Sequence, residues 1–134
     1  YEIPKRDWSS DVCSSDLILV AEDHKAVRDM IDLAMTQKGY RVLTAHDGAA
    51  AIAAAQQHPG KIDALITDLV MPGIDGEHLA ATLKNDRPGL RILFVSGHAP
   101  RSEPRFAAIH QEASFLAKPF RPSALTAKLR DLLK

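Results

Sequence analysis

Ala64-Leu65-Ile66-Thr67-Asp68-Leu69-Val70-Met71-Pro72-Gly73-Ile74-Asp75-Gly76 carries the pattern that decides the fold. Ala64 to Thr67 is a short apolar run of strand type, and from Asp68 to Gly76 the chain enters a loop holding Pro72, Gly73 and Gly76. Glu77 to Asn85 then reads as a helix, so the stretch predicts a strand, a loop and a helix in succession.

The same unit recurs on both sides. Ile18-Leu19-Val20 is an apolar run closed by acids, and Val27, Ile31 and Ala34 follow at one-face helical spacing until Gly39. Tyr40 to Ala45 is rich in β-formers, and Gly48 to His58 is an alanine-heavy helix that Pro59-Gly60 stops. Ile92-Leu93-Phe94-Val95 reads as a fourth strand and Ser114 to Ala117 as a fifth. Pro122 suits the first position of a last helix that keeps Leu125, Leu129 and Leu132 on one face. Between them, Pro100 and Pro104 delay the remaining helix to about Arg105, leaving it short or loosely held.

Five strands interleaved with five helices predict an α/β fold: a doubly wound parallel sheet, since parallel strands need crossovers that place helices on both faces. The strand runs are apolar on both sides of the pleat, as such burial requires. Ligands of these sheets sit outside the carboxyl ends of the strands, where the strand order reverses.

Composition agrees with one globular domain. The chain has 134 residues, 46% hydrophobic and 25% charged, enough to bury a core without disulfides or a structural metal. Seventeen basic residues balance seventeen acidic ones, so the excess that marks a nucleic-acid binder is missing. The apolar runs are far short of a membrane span. A single cysteine, Cys13, excludes a disulfide framework and multi-cysteine metal sites, and fits a cytoplasmic setting. Residues 1–16 repeat the tetrads Ser9-Ser10-Asp11-Val12 and Ser14-Ser15-Asp16-Leu17 around Cys13 without hydrophobic period. They lack the features of a signal peptide and are expected to be non-native or disordered, with residues 17–134 forming the domain.

The residues just after each run carry the chemistry. Glu22 and Asp23 follow the first, Asp68 the third, Ser96 the fourth and Lys118 the fifth. Two like charges about 4 Å apart repel by roughly 4 kcal/mol at an effective dielectric of about 20, so clustered carboxylates call for a cation or for protons. Magnesium suits such a set, taking one or two carboxylates, waters and a phosphate oxygen. Lys118 offers a point charge to a phosphate oxygen or to a free Asp68. Asp23 alone is better explained as a helix N-cap, but Glu22 beside it cannot share that role, and Asp68 precedes a loop. Ala21-Glu22-Asp23-His24-Lys25 contains no glycine, so nucleotide-cradling loops are excluded. What fits is a carboxylate nucleophile phosphorylated with metal help.

These residues resemble the receiver domains of two-component response regulators. Glu22-Asp23 is similar to the acidic pair, Asp68 through Gly76 to the phosphoacceptor and its loop, Ser96-Gly97 to the switch hydroxyl and its small neighbour, and Phe115-Leu116-Ala117-Lys118-Pro119-Phe120 to the lysine-proline motif. The resemblance runs from about Ile18 to the C-terminus. It implies a flavodoxin-like five-stranded sheet of order 2-1-3-4-5. It further implies transfer of a phosphoryl group from the phosphohistidine of a histidine kinase or phosphotransfer domain to Asp68. Magnesium would be held by Glu22, Asp23, Asp68 and the backbone carbonyl of Val70. Phosphorylation would draw Ser96 and Lys118 inward, with Phe115 filling the space behind Ser96, and the Lys118–Pro119 bond would be cis.

Phe115 is otherwise ordinary core packing. Ile92 through His98 and the ending from Lys118 resemble receivers at the C-termini of hybrid sensor kinases. The expectation is a signalling domain and not an enzyme. The rivals are a magnesium-dependent aspartyl-phosphate phosphohydrolase, against which the apolar Val70 speaks, and an unphosphorylated scaffold. The six histidines show no ligand spacing, and His98, beside Ser96, is expected at most to touch the rim of the site.

Overall fold

Side chains alternate across a strand, so a strand apolar at every position has to be covered on both faces. The computed structural model, which describes residues 16–97 and 114–133, shows how the chain meets that demand. Its elements run β1 (Leu17–Ala21), α1 (Lys25–Gln37), β2 (Arg41–Ala45), α2 (Gly48–Gln57), β3 (Ala64–Asp68), α3 (Gly76–Asp86), β4 (Arg91–Ser96), β5 (Ser114–Ala117) and, last, α4 (Pro122–Leu133). The expected helix near Arg105, residues 1–15 and His98 lie outside the described residues.

The five strands form one parallel sheet in the order β2-β1-β3-β4-β5, as the resemblance implies. Leu17, Leu19 and Ala21 face one layer, built with α2 and α3 around Ala51, Ala55, Leu79, Leu83 and Phe94. Ile18 and Val20 face the other, with Ile31 and Met35 of α1 and Leu125 and Leu129 of α4. Fully burying each such Leu or Ile contributes about 1.5–3 kcal/mol. β1 and β3 are buried along their whole length, whereas the edge strands β2 and β5 are only partly covered. Burial on both faces therefore describes the centre of the sheet and not its margins, which have one strand neighbour each.

Helix ends follow local chemistry. Gly39 takes φ +95, a conformation that L side chains rarely adopt, and α1 closes there with Gly39 N–H donating to Thr36 O and Tyr40 N–H to Met35 O. Asp47 caps α2 by accepting from Ala50 N at 2.8 Å, and Asp75 caps α3 by accepting from His78 N at 2.9 Å. Arg87, just past α3, donates to Ala55 O, His58 O and Gly60 O, tying the end of α2 to α3. Among the described residues no helix is long and apolar enough to cross a membrane.

Candidate functional site

Register alone brings the five expected positions to one edge of the sheet. Ala21 pairs with Thr67, so Glu22 and Asp23 leave β1 where Asp68 ends β3. Asp68 pairs with Val95, which places Ser96 beside it, and Ser96 pairs with Ala117, which places Lys118 next.

Lys118 joins the acids. Its Nζ donates to Asp68 Oδ2 at 2.9 Å and to Glu22 Oε1 at 3.0 Å, bridging residues 50 and 96 positions away. Glu22 is fully buried and Asp68 nearly so, and without a cation their charges would be unpaired. Burial pushes the Lys118 ammonium down, but hydrogen bonds to Asp68 and Glu22 and the charge of both outweigh it, holding its pKa above the usual lysine value. Lys118 is thus a fixed cation at neutral pH.

The other Asp68 oxygen, Oδ1, accepts from Val70 N at 3.3 Å, while the Val70 side chain is 59% exposed. Thr67, buried beside Asp68, donates its hydroxyl to the Asp68 carbonyl at 2.9 Å. Ser96 is buried, and its carbonyl accepts from Lys118 N at 2.9 Å. Phe115 stacks on Phe94 with ring centroids 5.2 Å apart, and strand alternation puts Ser96 on the same face as Phe94. Phe115 is therefore core packing in this state, one side-chain row from Ser96. The Lys118–Pro119 peptide is cis.

The N-cap of α1 is His24, with no side-chain cap, so Asp23 is not spent on capping. Asp23 Oδ1 is instead buried without a hydrogen-bond partner. One ligand atom each from Glu22, Asp23, His24 and Asp68 lie within 4.8 Å of one another. An orphaned carboxylate oxygen facing two more carboxylates is the donor set of a hard divalent cation, and the residues fit magnesium.

Two features escaped the sequence. His24 stands at the acids, with Nδ1 3.3 Å from Glu22 Oε2 and 3.5 Å from Asp23 Oδ1; its adjacency to the acid pair was the signal, but no His spacing marked it. Gly76 is more than a loop glycine, because a Cβ there would lie 2.1 Å from the Asp68 carbonyl oxygen. Only the missing side chain lets α3 start against the end of β3.

Known proteins resemble this chain in sequence and fold. Residues 18–130 match the family described as "Response regulator receiver domain". The sensor kinase CckA of Brucella abortus is 31% identical over 130 residues, covering 97% of this chain and 14% of that protein. The chain spans about half the length of several response regulators and transcriptional regulatory proteins that it also matches. Among solved structures, a receiver domain from the hybrid histidine kinase CckA superposes with TM-score 0.75 at 32% identity, covering 88% of this chain and 99% of that one. The Thermotoga maritima response regulator TrrA, solved in complex with Mg(2+)-BeF, superposes with TM-score 0.73 at 26% identity, covering 88% and 99%. A match that spans β1 to the last helix, on a sheet of this order, leaves one conclusion: the chain belongs to the response regulator receiver domain family.

Proposed function

We propose that the domain accepts a phosphoryl group on Asp68 from the phosphohistidine of a histidine kinase or histidine phosphotransfer domain, in the cytoplasm, and thereby switches a partner-binding surface. The observation that carries this reading is Lys118 Nζ held between Asp68 and Glu22, beside the orphaned oxygen of Asp23. A carboxylate oxygen of Asp68 attacks phosphorus, the O–P bond forms, and the P–N bond breaks. The donor imidazole leaves with the electron pair and takes a proton from water. The domain assists this transfer to itself and is not a turnover enzyme.

Glu22, Asp23, Asp68 and the Val70 carbonyl would hold Mg2+, as the TrrA complex with Mg(2+)-BeF supports. When bound, the ion neutralises charge on the phosphoryl oxygens. Lys118 passes from the Asp68 carboxylate to a phosphoryl oxygen, as a point charge suited to either. Ser96 hydrogen-bonds another phosphoryl oxygen, and Phe115 follows it inward from its place against Phe94. A local charge change thus becomes a change of surface at the β5 edge. Residues 17–134 constitute the receiver unit, and its likeness to the CckA receiver supports a hybrid-kinase parent.

Labelling with a small phosphodonor and Mg2+, parent against Asp68→Asn, tests the reading. A stable, stoichiometric adduct lost in the variant is expected. Sustained release of phosphate would instead indicate a phosphohydrolase, and no adduct in either protein a scaffold.

A further inference from the structure

The geometry points to His24 as a further protein ligand of the divalent site, giving it a preference for nitrogen-accepting cations such as Mn2+ over Mg2+. The inference rests on the acid site proposed above and adds to it a donor of different chemistry.

Among the described residues His24 makes its side-chain contacts at this site. Its Nδ1 lies 3.3 Å from Glu22 Oε2 and 3.5 Å from Asp23 Oδ1, the oxygen that has no hydrogen-bond partner. Its own backbone N–H donates to Glu22 Oε2 at 3.1 Å, which fixes the start of the side chain over the carboxylates. The chain turns here for a reason independent of the ring: His24 is the N-cap of α1 by backbone conformation, and its side chain makes no cap. The imidazole is also largely exposed, so burial does not explain its position.

Ligands about 2.0–2.2 Å from an ion stand no more than roughly 4.4 Å apart. The donor atoms of Glu22, Asp23, His24 and Asp68, all within 4.8 Å, need close in by only a few tenths of an ångström. Magnesium prefers oxygen and water, whereas first-row transition ions gain from imidazole. Three carboxylates and one imidazole therefore favour Mn2+ beyond what the carboxylates alone would give.

Electron spin-echo spectroscopy of the Mn2+-loaded chain tests this directly, because a bound imidazole nitrogen modulates the echo. Nitrogen modulation is expected in the parent and should vanish in His24→Ala. Calorimetric titration of both proteins should show Mn2+ affinity reduced at least about tenfold in His24→Ala, with Mg2+ affinity changed far less. Because the ring makes no cap and its hydrogen bond to Glu22 comes from a largely exposed side chain, His24→Ala should unfold close to the parent's midpoint. Mn2+ bound without nitrogen modulation, or modulation that persists in His24→Ala, overturns the role of His24 and leaves the acid site standing. A parent that binds neither ion overturns the acid site itself.

Discussion

Gly76→Ala places the first prediction on a single methyl group. Gly76 opens α3, and a Cβ on it would lie 2.1 Å from Asp68 O, 2.9 Å from Asp68 C and 2.9 Å from Leu69 Cα. All three are backbone atoms, so no flexible side chain can swing aside, and either α3 or the end of β3 has to move. Overpacking of this kind costs about 1–3 kcal/mol, against which the lower entropy of an unfolded alanine returns about 0.4–1 kcal/mol. A net loss of about 1–2 kcal/mol is expected. Gly89→Ala is the matched control: nothing lies within 4 Å of its added Cβ and its φ lies outside the left-handed region, so it should be neutral or stabilising by up to about 1 kcal/mol. Urea unfolding reads both. With a slope of about 2 kcal/mol per molar urea, the Gly76→Ala midpoint should fall by about 0.5–1 M. Phosphorylation of Asp68 should also slow, because the displaced atom belongs to the proposed acceptor residue. A Gly76→Ala protein as stable as the parent, or a Gly89→Ala protein equally damaged, would refute the close-approach reasoning.

Lys118→Met leaves the buried Glu22 and Asp68 without their shared cation, and a loss of about 1–3 kcal/mol in urea unfolding is expected, partly restored by Mg2+. No restoration would contradict a shared ion at these acids. Arg87→Ala removes donors from three carbonyls at the end of α2, with an expected cost of about 1.5–3 kcal/mol and an unchanged rate of Asp68 labelling, since its partners Ala55, His58 and Gly60 are none of the site residues. Val70, exposed and apolar two residues after the proposed acceptor, offers no group to orient an attacking water, so the phosphorylated domain should persist for minutes or longer. A half-life of seconds, followed by phosphate release, would contradict that.

Much of this was legible because apolar runs and turn residues act locally. Leu17–Ala21, Ala64–Asp68 and Arg91–Ser96 extend the expected runs by a residue or two, and Ser114–Ala117 coincides with its expected bounds. Once those strands pair in parallel, register fixes which residues follow them, so Glu22, Asp23, Asp68, Ser96 and Lys118 could be grouped before any distance was known. What stayed hidden depends on contacts between distant backbones. Gly76 looks like any turn glycine until α3 is seen against Asp68 O, and Arg87 looks like a surface charge until α2 ends beside it. Asp23 taken alone reads better as a cap, yet the N-cap of α1 is His24, a difference set by one residue's backbone angles that sequence does not show. Asp23 Oδ1 is buried without a hydrogen-bond partner, which fits the proposed ion site.

Borohydride reduction of the phosphodonor-treated domain tests the central claim most directly, because it converts an acyl phosphate on aspartate to homoserine at the modified position. Peptide mapping should find homoserine at position 68 when Mg2+ is present and none when a chelator removes it. Homoserine at another aspartate, or the same yield at position 68 without any divalent ion, would contradict the account.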